Sequence, residues 1–262
     1  MKVITVISAK GGVGKTTLAA NLASVMATQQ QRVLAIDLDP SNTLRLHFGV
    51  SLNNIAGLSH AALANTSWQG ATIAGSGHVT VLPFGTLGED DQKRFERHIR
   101  HDSMWLARGL ETLQLFSSDI VIIDTPPGSS IYTRTSISIA NFLLDVICAN
   151  AASYVSIPNT QSMISEYALP RNDFMGVGHV VNQVDQSRRL NKDVLSVLRH
   201  TLGPQLFPMV IHLDEGVNEA LACNTTLMHY DPACQAATDL RSCGKWLLHL
   251  LDEGMHAHRG AE

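Results

Sequence analysis

A chain of 262 residues that is 45% apolar can bury one large core, and its formal charge of −4 argues against a broadly basic nucleic-acid binder. No apolar run reaches the about 20 residues of a membrane span, and no targeting segment is read ahead of the first apolar stretch. The four cysteines, Cys148, Cys223, Cys234 and Cys243, form no C-x-x-C pair and read as reduced, mostly buried thiols of a cytoplasmic protein, against a disulfide framework or a cysteine metal site.

The first informative stretch follows a β-type run, Val3-Ile4-Thr5-Val6-Ile7. It reads Ser8-Ala9-Lys10-Gly11-Gly12-Val13-Gly14-Lys15-Thr16-Thr17 and opens an Ala/Leu-rich helical run from Leu18 to Met26. Strand, glycine loop and helix in that order form a phosphate-binding loop. Gly11, Gly12 and Gly14 let the backbone turn so that successive N–H groups, Val13 included, face phosphate oxygens, while the positive end of the helix dipole faces the same anion. Lys15 reaches the β- and γ-phosphates of a nucleotide such as ATP, the Thr16 hydroxyl ligates Mg²⁺, and Thr17 closes the loop.

The second strand, Arg32 to Asp37, ends in Asp37-Leu38-Asp39-Pro40, and carboxylates at the C-terminal ends of strands sit where α/β sheets bind ligands. A Leu44–Phe48 segment, a short helix around Leu58 to Asn65 and a Ser/Gly/Ala-rich loop follow, then a third strand at His78–Leu82. The charged stretch Glu89 to Arg108 leads into Leu110–Phe116, whose apolar positions fall at helical spacing. His98, Arg100 and His101 within it read as a solvated, charged helix face and take no role.

Asp119–Asp124 is a continuous apolar run, as a strand covered on both faces should be, and ends in Asp124-Thr125-Pro126-Pro127-Gly128. An aspartate there is the second half of a nucleoside triphosphate site, holding Mg²⁺ through water. A helix from about Ser129 to Phe142 and a strand from Leu144 to Ala149 come next. The segment 150–173 reads as less regular, because Pro158 and Pro170 limit its helices. Val177–Asn182 is a sixth strand, Leu190–Leu202 a helix, Leu206–Ile211 a last strand, Asp214–Cys223 a helix and Cys234–Leu251 the closing helix. This pattern predicts a doubly wound α/β fold, a mostly parallel sheet with helices on both faces, as one domain over 1–252. A polar tail, 253–262, follows, in which His256 and His258 take no metal.

The phosphate loop departs from G-x-x-x-x-G-K-[ST] in one respect: Ala9 stands at the first glycine position, and Lys10 precedes the glycine pair. This form resembles the deviant loop of the MinD/ParA family of dimeric ATPases. The resemblance implies a homodimer with ATP sandwiched at its interface, Lys10 of each subunit reaching the nucleotide of the other. It implies that Asn182, at a strand end, contacts the adenine, although Asn also favours a turn there for its own reasons. In the closed dimer Asp39 orients the attacking water, with Lys10 and Lys15 stabilising the transferred phosphoryl group, and Asp37 and Asp124 hold the Mg²⁺ shell.

Three further stretches, Ser41–Phe48, Leu82-Pro83-Phe84-Gly85 and Ile211–Leu221, resemble one branch of that family, the BcsQ ATPases of bacterial cellulose secretion systems. That resemblance implies a cytoplasmic switch ATPase that pairs with a small accessory subunit and is recruited peripherally, through partners, to the inner-membrane cellulose synthase complex. Other branches fit less well. Partition ATPases follow the Asp-x-Asp-Pro segment with Gln-Gly-Asn where this chain has Ser41-Asn42-Thr43, and no added DNA-binding module is visible, so no direct DNA binding is expected; a ParA-like partition or positioning ATPase is the alternative. The membrane-binding branch ends in a basic amphipathic helix, whereas this chain ends in Asp252-Glu253-Gly254-Met255-His256-Ala257-His258, so no direct membrane insertion is expected. The iron–sulfur branch needs a cysteine shortly after Asp124, and none lies between Pro126 and Asn141. A nucleotide-gated scaffold that binds ATP without needing turnover stays open.

Overall fold

The computed structural model describes residues 1–259, with side chains as far as Glu253. The first half of the chain forms β1 (Lys2–Ile7), α1 (Lys15–Thr28), β2 (Val33–Asp37), α2 (Leu58–Leu63), β3 (Ile73–Ala74), β4 (Val79–Leu82), α3 (Glu89–His101), α4 (Trp105–Glu111) and β5 (Ile120–Asp124). The second half adds α5 (Ile131–Ile137), β6 (Phe142–Cys148), α6 (Ala151–Tyr167), β7 (Gly176–Asn182), α7 (Arg189–Leu202), α8 (Gly216–Ala222), α9 (Leu227–Tyr230) and α10 (Gln235–Arg259). The seven strands form one sheet in the order β3-β4-β2-β5-β1-β6-β7, parallel throughout except for the antiparallel β3. The expected doubly wound α/β fold is therefore present.

Strand periodicity sorts the side chains between the two helical layers. Ile4 and Val6 of β1, Val33 and Ala35 of β2, Ile120 and Ile122 of β5 and Val180 of β7 pack with α1 and α10. Val3, Leu34, Ile36, Val121 and Ile123 face the other way, against the layer that holds Phe95, Trp105 and Leu106. By the same alternation Asp37, Asp124 and Asn182 belong to the face that α1 covers, and each ends its strand. Helix α1 is buried almost all round, Leu18 to Met26 without a break, because the sheet lies under it and α10 packs across it.

Several elements differ from the sequence expectation, each for a local reason. The charged helix face expected around His98 is present, but on a helix of its own, α3, separate from Leu110–Phe116; it buries Phe95 and Ile99, while His98 is half-buried and Arg100 and His101 are exposed. The next helix ends at Glu111, so most of Leu110–Phe116 is not helical. Phe142 begins β6 rather than ending a helix, since it pairs with Gly176 across the sheet. The segment 150–173, expected to be irregular, holds the 17-residue α6: Asn150 caps it by accepting the Ser153 N–H, and Pro158 lies on the exposed side, where water can take the carbonyl left without a donor.

The expected last strand, Leu206–Ile211, does not form. Phe207 and Ile211 donate to His179 and Val181, so four residues span two of β7, and Pro208 between them has no N–H to give. The seventh strand is instead β3, from the stretch read as loop. The closing helix runs past Leu251 to Arg259, while the side chains of His256 and His258 and the whole of 260–262 lie outside the described residues. All four cysteines are free, but only Cys243 is buried and Cys223 is exposed, which corrects the expectation of mostly buried thiols.

Candidate functional site

The loop between β1 and α1 has the backbone of an anion cradle. Gly12 and Gly14 both adopt positive φ, 76° and 80°. At Gly14 the need for glycine is double, because a Cβ there would stand 2.5 Å from Asn182 Nδ2. No side chain caps α1, and no acidic residue lies in its first turn. The leading N–H groups of this 14-residue helix are therefore left for an incoming anion.

Two loop side chains converge on one carboxylate. Lys15 Nζ lies 2.8 Å from Asp124 Oδ1, and the Thr16 hydroxyl donates to Asp124 Oδ2 at 2.6 Å. The ends of β1 and β5 are held in register by the Val6–Asp124 pairing, and by Thr125, whose hydroxyl donates to the Val6 carbonyl at 2.8 Å. Burial pushes the Asp124 carboxyl above the ordinary carboxylate range, and Lys15 and Thr16 pull it back only in part.

Asp37 stands beside it on β2, fully buried. Its Oδ1 accepts the Asp39 N–H at 2.9 Å and its Oδ2 the Leu44 N–H at 3.0 Å, so one carboxylate grips both ends of the 38–43 loop. Burial first, and then the charge of Asp124, raise the Asp37 carboxyl well above its usual value against those two bonds. Asp39 is half-buried at the rim, its Oδ1 accepting the Ser41 N–H at 2.9 Å. Two desolvated carboxylates next to a threonine hydroxyl suit a divalent cation that keeps most of its own waters, as Mg²⁺ does. No cluster of three or more His, Cys, Asp or Glu side chains able to hold a metal without other ligands occurs among the described residues.

Lys10 is exposed beside an open hollow of about 580 Å³ that Gly128, Arg134 and Glu166 also line. Asn182 is buried and its Nδ2 donates to the Val13 carbonyl at 2.8 Å, while Gln183 Nε2 reaches the Gly12 carbonyl at 3.4 Å. The strand end thus braces the phosphate loop. Both amides line a cleft of about 90 Å³ reaching from Gly14 and Thr17 to His212 and Asp214.

The structure brings Lys15, Thr16, Asp37 and Asp124 together, with Asp39 at the edge and Asn182 against the loop. Lys10, which shows no contact to that group, is set apart. Sequence reading missed Gln183 and the 211–214 wall. A polar His212 closing the apolar run Leu206–Ile211 carried the same strand-end signal that singled out Asp37, Asp124 and Asn182.

The model of the family "Cellulose biosynthesis protein BcsQ" matches residues 1–248. The chain belongs to the BcsQ family. A curated BcsQ relative from Escherichia coli K12 is 26% identical over 249 residues, covering 95% of this chain and 94% of its own. Two solved structures share the fold of this BcsQ-family chain. Cobyrinic acid a,c-diamide synthase from Mycobacterium smegmatis, with a bound ATP analogue and magnesium, aligns with a TM-score of 0.79 at 21% identity over 97% of each chain. The septum site-determining protein MinD from Pyrococcus horikoshii, complexed with Mg-ADP, aligns at 0.75 and 20% identity over 97% of this chain and 98% of that one. The fold is that of the MinD/ParA-type P-loop ATPases.

Proposed function

We propose that this chain is an Mg²⁺-dependent ATPase, residues 1–252 forming the ATPase unit, that works as a dimeric switch at a bacterial cellulose synthase complex. The observation that carries the reading is the convergence of Lys15 and Thr16 on Asp124 at an uncapped helix N-terminus, in a chain matched by the BcsQ family model from end to near end. ATP phosphates would take the free N–H groups from Gly11 to Thr17 and draw Lys15 away from Asp124.

Mg²⁺ would be held by Thr16 with Asp37 and Asp124 in its outer shell, supplying charge neutralisation at the phosphates. Asp39 would orient the attacking water by accepting its proton-bearing hydrogen bond, a task separate from binding. Lys10, an exposed cation at the loop, would complete the site of a second copy of the chain, so that ATP closes two subunits and hydrolysis releases them. No helix among the described residues is long and apolar enough to cross a membrane, so recruitment to the inner membrane would come through partners: a small accessory subunit and the synthase itself.

The experiment is a pull-down from cellulose-producing cells, beside light scattering with ATP and a duplex-DNA titration over a salt series. Wild type should recover synthase subunits and dimerise with ATP. Lys10→Ala should lose both, and Asp39→Ala should accumulate the ATP-bound dimer while hydrolysing slowly. Strong, salt-sensitive DNA binding with no recovery of synthase would overturn this reading in favour of a partition ATPase.

A further inference from the structure

We propose that His212, held by Asp239, reads the base of the bound nucleotide and selects adenine over guanine; this rests on the nucleotide site proposed above. Asp239 lies on α10 and is fully buried. Its Oδ2 accepts two bonds from one residue, the His212 backbone N–H at 3.0 Å and His212 Nδ1 at 2.7 Å. Gln235 donates to the other oxygen at 2.8 Å and fixes the carboxylate. Since every neighbour donates to it, Asp239 acts only as acceptor. The proton of the neutral imidazole therefore sits on Nδ1, and Nε2 is an acceptor.

That acceptor is in the right place for a base. His212 lines the cleft that begins at Gly14 and Thr17, and Asn182 and Gln183 line it with His212. Nε2 now meets the side-chain amide of Gln186 at 2.7 Å, an exposed residue on the loop after β7. A ligand donor can take the place of that amide. The 6-amino group of adenine is such a donor. Guanine offers an oxygen at the same ring position, so two acceptors would face each other and the bond to Nε2 would be lost with nothing to replace it. His212 is the base-reading residue, and Asp239 is a positioning residue that fixes its tautomer.

The test is calorimetry with Mg-ATP and Mg-GTP on the full chain, with thermal unfolding of each variant as a check on folding. Wild type should prefer ATP. His212→Leu should lose about tenfold of that preference, mostly through weaker ATP binding, and His212→Gln, which keeps one acceptor and one donor, should recover part of it. Gln186→Ala, on an exposed loop, removes the competitor for Nε2 and should tighten ATP but not GTP. An unchanged ATP-to-GTP ratio in folded His212→Leu, or equal changes for both nucleotides in Gln186→Ala, would overturn the inference while leaving the nucleotide site standing. A wild type that binds neither nucleotide would overturn the site itself.

Discussion

Asp37 and Asp124 are direct neighbours across two parallel strands, paired in register and both fully buried, and among the described residues only Lys15 gives a counter-charge at hydrogen-bond distance. Two carboxylates and one ammonium out of reach of water form a site built short of positive charge. A cation-bearing ligand would relieve that imbalance, and its consequences can be measured without the ligand.

Removing Lys15 should hurt twice. Lys15→Ala should abolish tight ATP binding in calorimetry, because it takes away the cation aimed at the phosphates. It should also destabilise the nucleotide-free protein by about 3 kcal/mol in urea unfolding, since Asp124 is left buried without its partner. Unchanged ATP affinity would remove Lys15 from the site.

The pH dependence of the nucleotide-free protein should carry the mark of Asp37. Its folded carboxyl is raised above the ordinary value of 3.8, so the folded state holds the proton more tightly than the unfolded chain does. The stability contributed is complete below the unfolded value and is lost as pH rises through the folded one. Asp37→Asn forfeits at least one of the bonds to Asp39 and Leu44 at every pH. Relative to wild type it should nevertheless gain stability as pH rises, by at most about 1.4 kcal/mol per unit. Parallel stability curves for the two proteins would show that the carboxyl is not perturbed.

His47 should act in the opposite direction. It is buried in the turn of residues 44–48 that follows the Asp37 loop, and burial lowers its imidazole from 6.5 to about 4. The folded state keeps it neutral, so its contribution is present above pH 6.5 and is lost as pH falls through about 4, by up to about 3 kcal/mol. His47→Gln should flatten that part of the acid-unfolding profile. An identical slope would assign the acid sensitivity to another group.

Gly14→Ala should be more damaging than an ordinary glycine substitution. Its φ of 80° is strained for any L side chain, and the new methyl would meet the Asn182 amide that braces the Val13 carbonyl. A loss of about 1 kcal/mol or more of stability is expected together with loss of ATP binding, read by unfolding and calorimetry. Normal ATP binding in this variant would mean that the loop adopts another conformation with its ligand.

The sequence by itself determined what depends on neighbours along the chain. The strand Val3–Ile7, the glycines of the loop and the helix from Lys15 are contiguous, so the anion cradle could be read directly. Asp37, Asp124 and Asn182 were visible because each is a polar residue closing an apolar strand, and parity then puts them on one face. Tertiary structure decided what depends on distant or solvent contacts. Pro158 is tolerated inside α6 because its side of the helix is exposed, and Leu206–Ile211 fails as a strand because Pro208 interrupts its pairing with β7. Lys15 and Thr16 meet Asp124 more than a hundred positions away, and Asp239 reaches His212 from the last helix. Hydrogen bonds of that kind follow from how the strands order themselves in the sheet, which no local pattern of residues encodes.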